Sequence, residues 1–296
     1  MFKDSDHFTQ QLPGYRIKPL YIWAGVAAWK ACSGSPLDAF RKIGIASFVA
    51  FAMFLFTWVA RQTNERCAIC TILPFTLVSA EYASLITPDT LSSIILACAV
   101  AAWVHAKTFW HPLVLSAVAL LVRPDNILVV VIVPMWLGWR ALRGAERRAA
   151  FCSSVGLGLA GMLVQRIGHA YPWTTYIHTT LFVGLVAPAQ AHVYVGVREY
   201  LRTLWQEATR SDAPTVIALP LGMSALGLLV KPPAGDRGSS VIVALWLALS
   251  SHVLLLPTPE FRSSLGTCGA LLALGMIRIW QTLGTDGQSN TQPRFS

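Results

Sequence analysis

The sequence predicts an all-α protein, a bundle of about nine transmembrane helices with one further helix at the membrane interface. Of its 296 residues, 54% are hydrophobic and only 12% are charged, and the mean hydropathy is +0.54. Soluble domains carry about 25% charged residues, and disordered chains are poor in apolar residues. The composition therefore excludes both a soluble single-core protein and a disordered chain.

The predicted spans are apolar runs separated by charged or turn residues. They lie near 43–60, 67–80, 91–106, 111–122, 127–139, 150–165, 214–230, 239–256 and 264–280. The runs at 111–122 and 127–139 are shorter than the roughly 20 residues that a spanning helix needs, so we expect a hairpin bent at 123–126. Pro124 favours a break there, because proline lacks an N–H and disfavours helix at the residue before it.

A tenth apolar run at 19–34 is too short to span a membrane comfortably. It contains Trp23, Trp29 and Lys30, which are residue types that favour the boundary between lipid and water. We expect a helix lying at the interface. A second interfacial helix is predicted over 194–209, where apolar residues recur at helical spacing: Val197, Tyr200, Leu201, Leu204 and Trp205.

Lysine and arginine in short loops predict the orientation. The loops at 61–66, 107–110, 140–149 and 231–238 hold nine positive charges, whereas those at 81–90, 123–126 and 257–263 hold only Arg123 and Arg262. Basic loops remain in the cytoplasm. The sequence therefore predicts an integral membrane protein whose N-terminus faces outward.

The whole chain, 1–296, is expected to form one transmembrane domain. Its predicted parts are an external loop with an interfacial helix (1–42), six spans (43–165), an external loop (166–213), three spans (214–281) and a polar tail (282–296).

The net charge of +9 is spread over short loops and forms no basic face with interleaved aromatics, so nucleic acid is not an expected partner. Membrane lipids are expected partners.

Cys67 and Cys70 form a lone CxxC pair at the start of an apolar run, which favours packing thiols over a metal site. We expect neither a metal nor another cofactor.

None of the fourteen acidic residues lies within a predicted span. Proton- and ion-coupled transporters usually have such residues there, so this absence weakens the interpretation of the chain as a transporter. His252 is the one titratable side chain well inside a run, and we expect a neutral histidine that is hydrogen-bonded to a neighbouring helix.

Polar residues instead cluster at outer helix ends, in DSDHF (4–8), RIKP (16–19), EYASLITPD (81–89), RPDN (123–126) and PEFR (259–262). Carboxylates beside Lys and Arg suit an acceptor hydroxyl and a phosphate leaving group.

The order of these features resembles the start of GT-C class membrane glycosyltransferases, among them protein O-mannosyltransferase-like and lipid A aminoarabinose transferase-like enzymes. DSDHF resembles the family's first acidic motif, KPLYIWAGVAAWKACSG its KPPL-type motif and interfacial helix, and SPLDAFRKIGIASFVAFAMFLFTWVAR its following span. TPDTLSSIILACAVAAW is similar to the family's outer-loop Asp and the span after it. The motifs are short and are spread over about residues 4–281.

The resemblance implies transfer of a sugar from a polyprenyl-phosphate donor to an acceptor on the outer face of a bacterial inner membrane. It implies a catalytic carboxylate at Asp4, with Asp6 as a substitute, and a second acidic residue at Asp89. It also implies substrate contacts from Lys18, Arg123 and Arg262, and Glu81 of the polar stretch 81–89 is expected to add another. The family's metal-binding members have an acidic residue before the lysine; Ile17 stands there, so no metal site is implied.

Two other functions stay open at this point. A transporter or flippase for a lipid-linked glycan would also need an outward polar cavity. Family members have a spanning helix before the first acidic motif, so a shortened relative without catalytic activity is the other alternative.

Overall fold

The computed structural model describes residues 18–32, 34–85, 87–167, 196–198, 200–202, 205, 213–230, 236–255 and 264–289. This part of the chain is helical apart from short connections and contains no strand, which confirms the all-α prediction. The longer helices are α1 (Pro19–Ala31), α2 (Pro36–Gln62), α3 (Glu65–Ser79), α4 (Asp89–His105), α5 (Trp110–Val122), α6 (Ile127–Arg140), α7 (Gly144–Ile167), α8 (Ala213–Leu229), α9 (Arg237–Leu255) and α10 (Leu265–Ser289). Short 3-10 turns lie at Ala80–Ser84 and Pro124–Asn126.

Within the described residues, four helical segments are long and apolar enough to cross a membrane: α2, Glu65–Ser84, α7 and α9. Shorter apolar helices are formed by Asp89–His105, Trp110–Val122 and Ile217–Leu229. Lengths of this order match the hydrocarbon core of a bilayer, which is consistent with the predicted membrane protein. The total of nine spans stays a prediction.

Capping side chains set the helix starts, and they lengthen the first span. Ser35 Oγ accepts a hydrogen bond from the Asp38 backbone N–H at 3.1 Å, and Pro36 occupies the first turn. Helix α2 therefore begins at Pro36 and not near residue 43, where the apolar run starts. Asn64 caps α3 in the same way, since its Oδ1 accepts from Cys67 N–H at 2.8 Å.

Helices that follow one another in the chain from α2 onward run antiparallel, so their termini fall into two sets. Trp103, near the end of α4, donates to Ser116 of α5 at 3.1 Å, whereas Asn126, beyond the end of α5, reaches back to Ser92 near the start of α4 at 2.8 Å. We call the set that contains the start of α4 the Asp89 end. The opposite set, which contains the end of α4 and the start of α9, is the Arg278 end.

Helix α10 forms the centre of the bundle, and each of its residues from Leu265 to Gly275 is buried. Glycines bring its backbone close to its neighbours. A Cβ on Gly266 would lie 2.8 Å from Ser93 Cα of α4, and one on Gly275 would lie 2.5 Å from the carbonyl oxygen of Met223 in α8. Small residues at such contacts allow membrane helices to pack closely.

A buried ion pair holds the Arg278 end together. Arg278 of α10, whose side chain is 3% exposed, donates to Asp236 Oδ2 at 2.7 Å and to Val230 O at 2.9 Å. Asp236 also accepts from the backbone N–H groups of Gly238 and Ser239 at 2.9 and 3.0 Å. One arginine thereby connects α10 to the end of α8 and to the capped start of α9.

The short run at 19–34 forms a helix of its own, as predicted. Helix α1 packs against α2 and α5, and its buried Tyr21 lies 5.1 Å from the ring of Phe40. Trp23 and Trp29 are exposed. A position at the membrane interface agrees with these exposed tryptophans and stays a prediction.

The second predicted interfacial helix falls mostly outside the described residues. Of those that are described, 196–198, 200–202 and 205, all but Gly196 are helical. Val197, Leu201 and Trp205 are exposed at helical spacing, and the Tyr200 hydroxyl donates to the carbonyl oxygen of Leu254 near the end of α9. This hydrogen bond places the segment around Tyr200 at the Asp89 end.

The orientation can be tested with exposed positions at the two ends. In a cysteine-free background, we expect a membrane-impermeant maleimide added outside intact cells to label Glu81→Cys and to spare Arg143→Cys, since the basic loops lie at the Arg278 end. Both side chains are exposed, so permeabilised cells should show labelling of both. The reverse pattern in intact cells would overturn the orientation.

Candidate functional site

Arg123 joins two carboxylates at the Asp89 end. Its Nη1 forms an ion pair with Asp89 Oδ1, and its Nε donates to Asp125 Oδ2 at 3.1 Å. The arginine stands where α5 stops, in extended backbone before Pro124. The predicted proline break therefore presents both Arg123 and Asp125 to the start of α4.

Asp89 is the buried member of this cluster, with 4% of its side chain exposed. It lies in the first turn of α4, where the helix dipole favours negative charge. A buried carboxylate is costly unless it is paired. Arg123 supplies the pair, and Asp89 in turn fixes the position of the guanidinium.

Asn126 fixes the 3-10 turn that carries Asp125. Its amide donates to Ser92 Oγ and to the carbonyl oxygen of Ala119, each at 2.8 Å. The side chain is buried, so these bonds are shielded from water. They hold the turn against both α4 and α5.

Asp125 is more accessible, with 37% of its side chain exposed. Burial alone would raise its pKa, but the charges of Arg123, Lys18 and His252, with the hydrogen bond from Arg123, together hold the pKa below its ordinary value. Lys18 lies at the start of α1, and His252 lies near the end of α9. The structure thus gathers two carboxylates, two cations and an imidazole from four parts of the fold: the start of α1, the start of α4, the turn between α5 and α6, and the end of α9.

A narrow cleft opens beside Asp125 between α6, α9 and α10, and it has room for about one water molecule. Its polar lining consists of Asp125, Asn126, His252, Ser264 and Thr267. Leu128, Val129, Ala248 and Leu249 supply its apolar wall. The cleft is therefore polar on the side of the charged cluster and apolar on the other.

The structure brings together three of the predicted site residues, Lys18, Asp89 and Arg123. Glu81 lies exposed in the 3-10 turn at the same end, and within the described residues no hydrogen bond or ion pair joins it to the cluster. Asp4, Asp6 and Arg262 lie outside the described residues.

Sequence reasoning did not select Asp125, Asn126 or His252 as site residues. The first two belong to the RPDN stretch that was recognised as polar, so the signal was present. His252 was expected to be an ordinary core histidine; its place in the cleft depends on the packing of α9 against α6. In the ranges that the structure describes, no group of three His, Cys, Asp or Glu side chains could hold a metal ion.

Comparison with known proteins gave no relative from which a role could be transferred. No protein-family model, no curated protein and no solved structure matches the chain. The function must therefore be argued from the site itself.

Proposed function

We propose that the protein is a membrane glycosyltransferase that moves a sugar from a polyprenyl-phosphate donor to an acceptor at the outer face of the membrane. The observation that carries this proposal is the convergence of Lys18, Arg123, Asp89 and Asp125 at one end of an apolar helix bundle. A lipid phosphate would approach the protein at this level.

The cations would hold the phosphate of the donor. Arg123 is already oriented by two carboxylates, and the planar guanidinium has five N–H donors, of which Asp89 and Asp125 engage only part. Lys18 adds a point charge close to the same turn. Positive groups fixed in advance stabilise the negative charge that develops on the departing phosphate, and this lowers the barrier to transfer.

Asp4, Asp6, Glu81 and Arg262 stay proposed site residues. Asp4 or Asp6 would lie close to the acceptor, and Glu81 and Arg262 would contact the substrates. Asp89 acts through Arg123, because its carboxylate is buried against the guanidinium and is not open to the cleft. In this proposal Asp89 is therefore a positioning residue. The site faces outward, in a bacterial inner membrane.

The primary test is transfer by the purified protein in liposomes. Radiolabelled mannose, glucose and aminoarabinose, each linked to undecaprenyl phosphate, would be supplied as donors with bacterial membrane lipids and envelope proteins as acceptors. We expect label to move from one donor into an acceptor fraction. Movement of the intact donor between leaflets without transfer would contradict the proposal and favour a flippase.

Lys18→Ala should weaken donor binding by about tenfold or more, since a hydrogen bond to a charged group contributes about 1.5–3 kcal/mol. The measurement is the Kd for fluorescent undecaprenyl phosphate in micelles. Lys30→Ala is a matched control on the same helix, because Lys30 is exposed in the last turn of α1, far from Asp125. Equal affinities for the two variants would remove Lys18 from the phosphate site.

A further inference from the structure

We infer that His252, with Asp125 beside it, accepts the proton of the acceptor hydroxyl during sugar transfer. The inference rests on the proposed function and deepens it, because it assigns the group that activates the acceptor. It is carried by the cleft that both side chains line.

The position of His252 brings it to the reactive side of the bundle. It lies in the last turn of α9, and its neighbours one turn back, Ala248 and Leu249, are buried in the wall of the same cleft. Ser264 and Thr267, at the start of α10, add hydroxyl groups to the lining. An acceptor hydroxyl entering the cleft would therefore meet an imidazole among polar side chains.

The charges around the imidazole suit a transient positive charge. Asp125 is close enough to interact electrostatically with His252, and so is Arg123. Arg123 is paired with both carboxylates of the cluster. Asp125, the carboxylate nearest the cleft, can therefore stabilise an imidazolium and still has Arg123 as its partner after the proton has left. Asp125 would also orient the ring, as a carboxylate beside a catalytic histidine does.

The two carboxylates of the cluster are less suited to accept the proton. Asp89 is 4% exposed and is paired with Arg123, so a substrate hydroxyl could reach it only by separating the pair. Asp125 is charged and partly exposed, but its Oδ2 accepts from Arg123. Imidazole gains and loses a proton near neutral pH, which fits a general base.

The step balances with the groups already named. One ring nitrogen of His252 takes the proton of the acceptor hydroxyl while the acceptor oxygen forms a bond to the anomeric carbon of the sugar. The bond between that carbon and the phosphate oxygen breaks, and its electron pair leaves with polyprenyl phosphate, which Lys18 and Arg123 bind. The imidazolium beside Asp125 then releases its proton to water.

The test compares transfer with donor binding in the full-length protein. His252→Gln should bind fluorescent undecaprenyl phosphate within about twofold of wild type and transfer sugar about 10²–10⁴-fold more slowly, the usual cost of losing a general base. His105→Gln is the matched control. Its ring lies at the Arg278 end, where its Nε2 accepts from Trp58 at 3.1 Å, and it should transfer sugar at the wild-type rate.

The possible outcomes distinguish failure of this inference from failure of the proposed function. Transfer by His252→Gln within twofold of wild type overturns the role of His252 and leaves the glycosyltransferase proposal intact. If His252→Gln loses both donor binding and transfer, the role of His252 is structural and the inference is overturned. His252→Asn serves as a second variant if the glutamine does not fold. A wild-type protein that binds donor and transfers nothing overturns both proposals.

Discussion

Arg278→Met is expected to lower the free energy of unfolding by about 3–5 kcal/mol, the usual cost of removing one partner from a buried ion pair. The substitution leaves the Asp236 carboxylate, 15% exposed, without its cation. It also removes the donor to the carbonyl oxygen of Val230 at the end of α8. Unfolding in mixed detergent micelles, followed by the fluorescence of the 11 tryptophans, measures the change.

Arg237→Met is the matched control for this prediction. Arg237 pairs with Glu146 at 3.2 Å, but the two side chains are 29% and 49% exposed, and such pairs contribute about 0–1 kcal/mol. A second variant, Arg278→Met with Asp236→Asn, should recover part of the loss, since asparagine can still cap α9 without a buried charge. Equal destabilisation by Arg278→Met and Arg237→Met would show that the buried pair contributes little.

Gly275→Leu should separate α8 from α10 and destabilise the protein by about 3 kcal/mol or more. A Cβ at this position would lie 2.5–2.6 Å from backbone atoms of Met223 and Ser224, and backbone cannot move aside as a flexible side chain can. Overpacking of an ordinary core costs about 1–3 kcal/mol, and contact with backbone places this site at or above the upper limit. The same micelle unfolding assay applies.

Gly222→Leu tests whether the cost comes from the helix contact. Gly222 lies on α8, is exposed, and has no atom within 4 Å of the position that a Cβ would take. It carries the same change of residue in the same pair of helices, so its effect should be small. A Gly275→Leu protein as stable as Gly222→Leu would mean that α8 and α10 can move apart without loss.

The fold class and most helices could be predicted because they depend on local sequence. Apolar runs and the break at Pro124 identify the helices, and the charged and turn residues between the runs identify most of their ends. The start of α2 was missed because a capping serine and Pro36 extend a helix into polar sequence, where hydropathy gives no signal. Arg278 lies within the last apolar run, and only the packing of α8 and α9 against it shows that it is paired.

The candidate site was predictable as a set of helix ends but not as a set of contacts. Charge counting placed Lys18, Asp89 and Arg123 on one side of the membrane, and the structure places them together. Which aspartate is buried and which lines the cleft depends on helix rotation, because Asp89 and Asp125 are the same residue type at similar helix ends. The position of His252 beside Asp125 joins residues more than a hundred positions apart, and no local pattern records such a contact.

The shortness of α5 has a consequence for the surrounding lipid. Its 13 residues rise about 20 Å, whereas the hydrocarbon core of a bilayer is about 30 Å thick. Trp110 and Val114 on this helix are exposed, and they would face lipid if α5 crosses the membrane as the sequence predicts. Hydrophobic mismatch of this kind is relieved by local thinning of the bilayer. Head groups would then be drawn toward Arg123, and the protein should prefer membranes with short acyl chains, in which local thinning costs least.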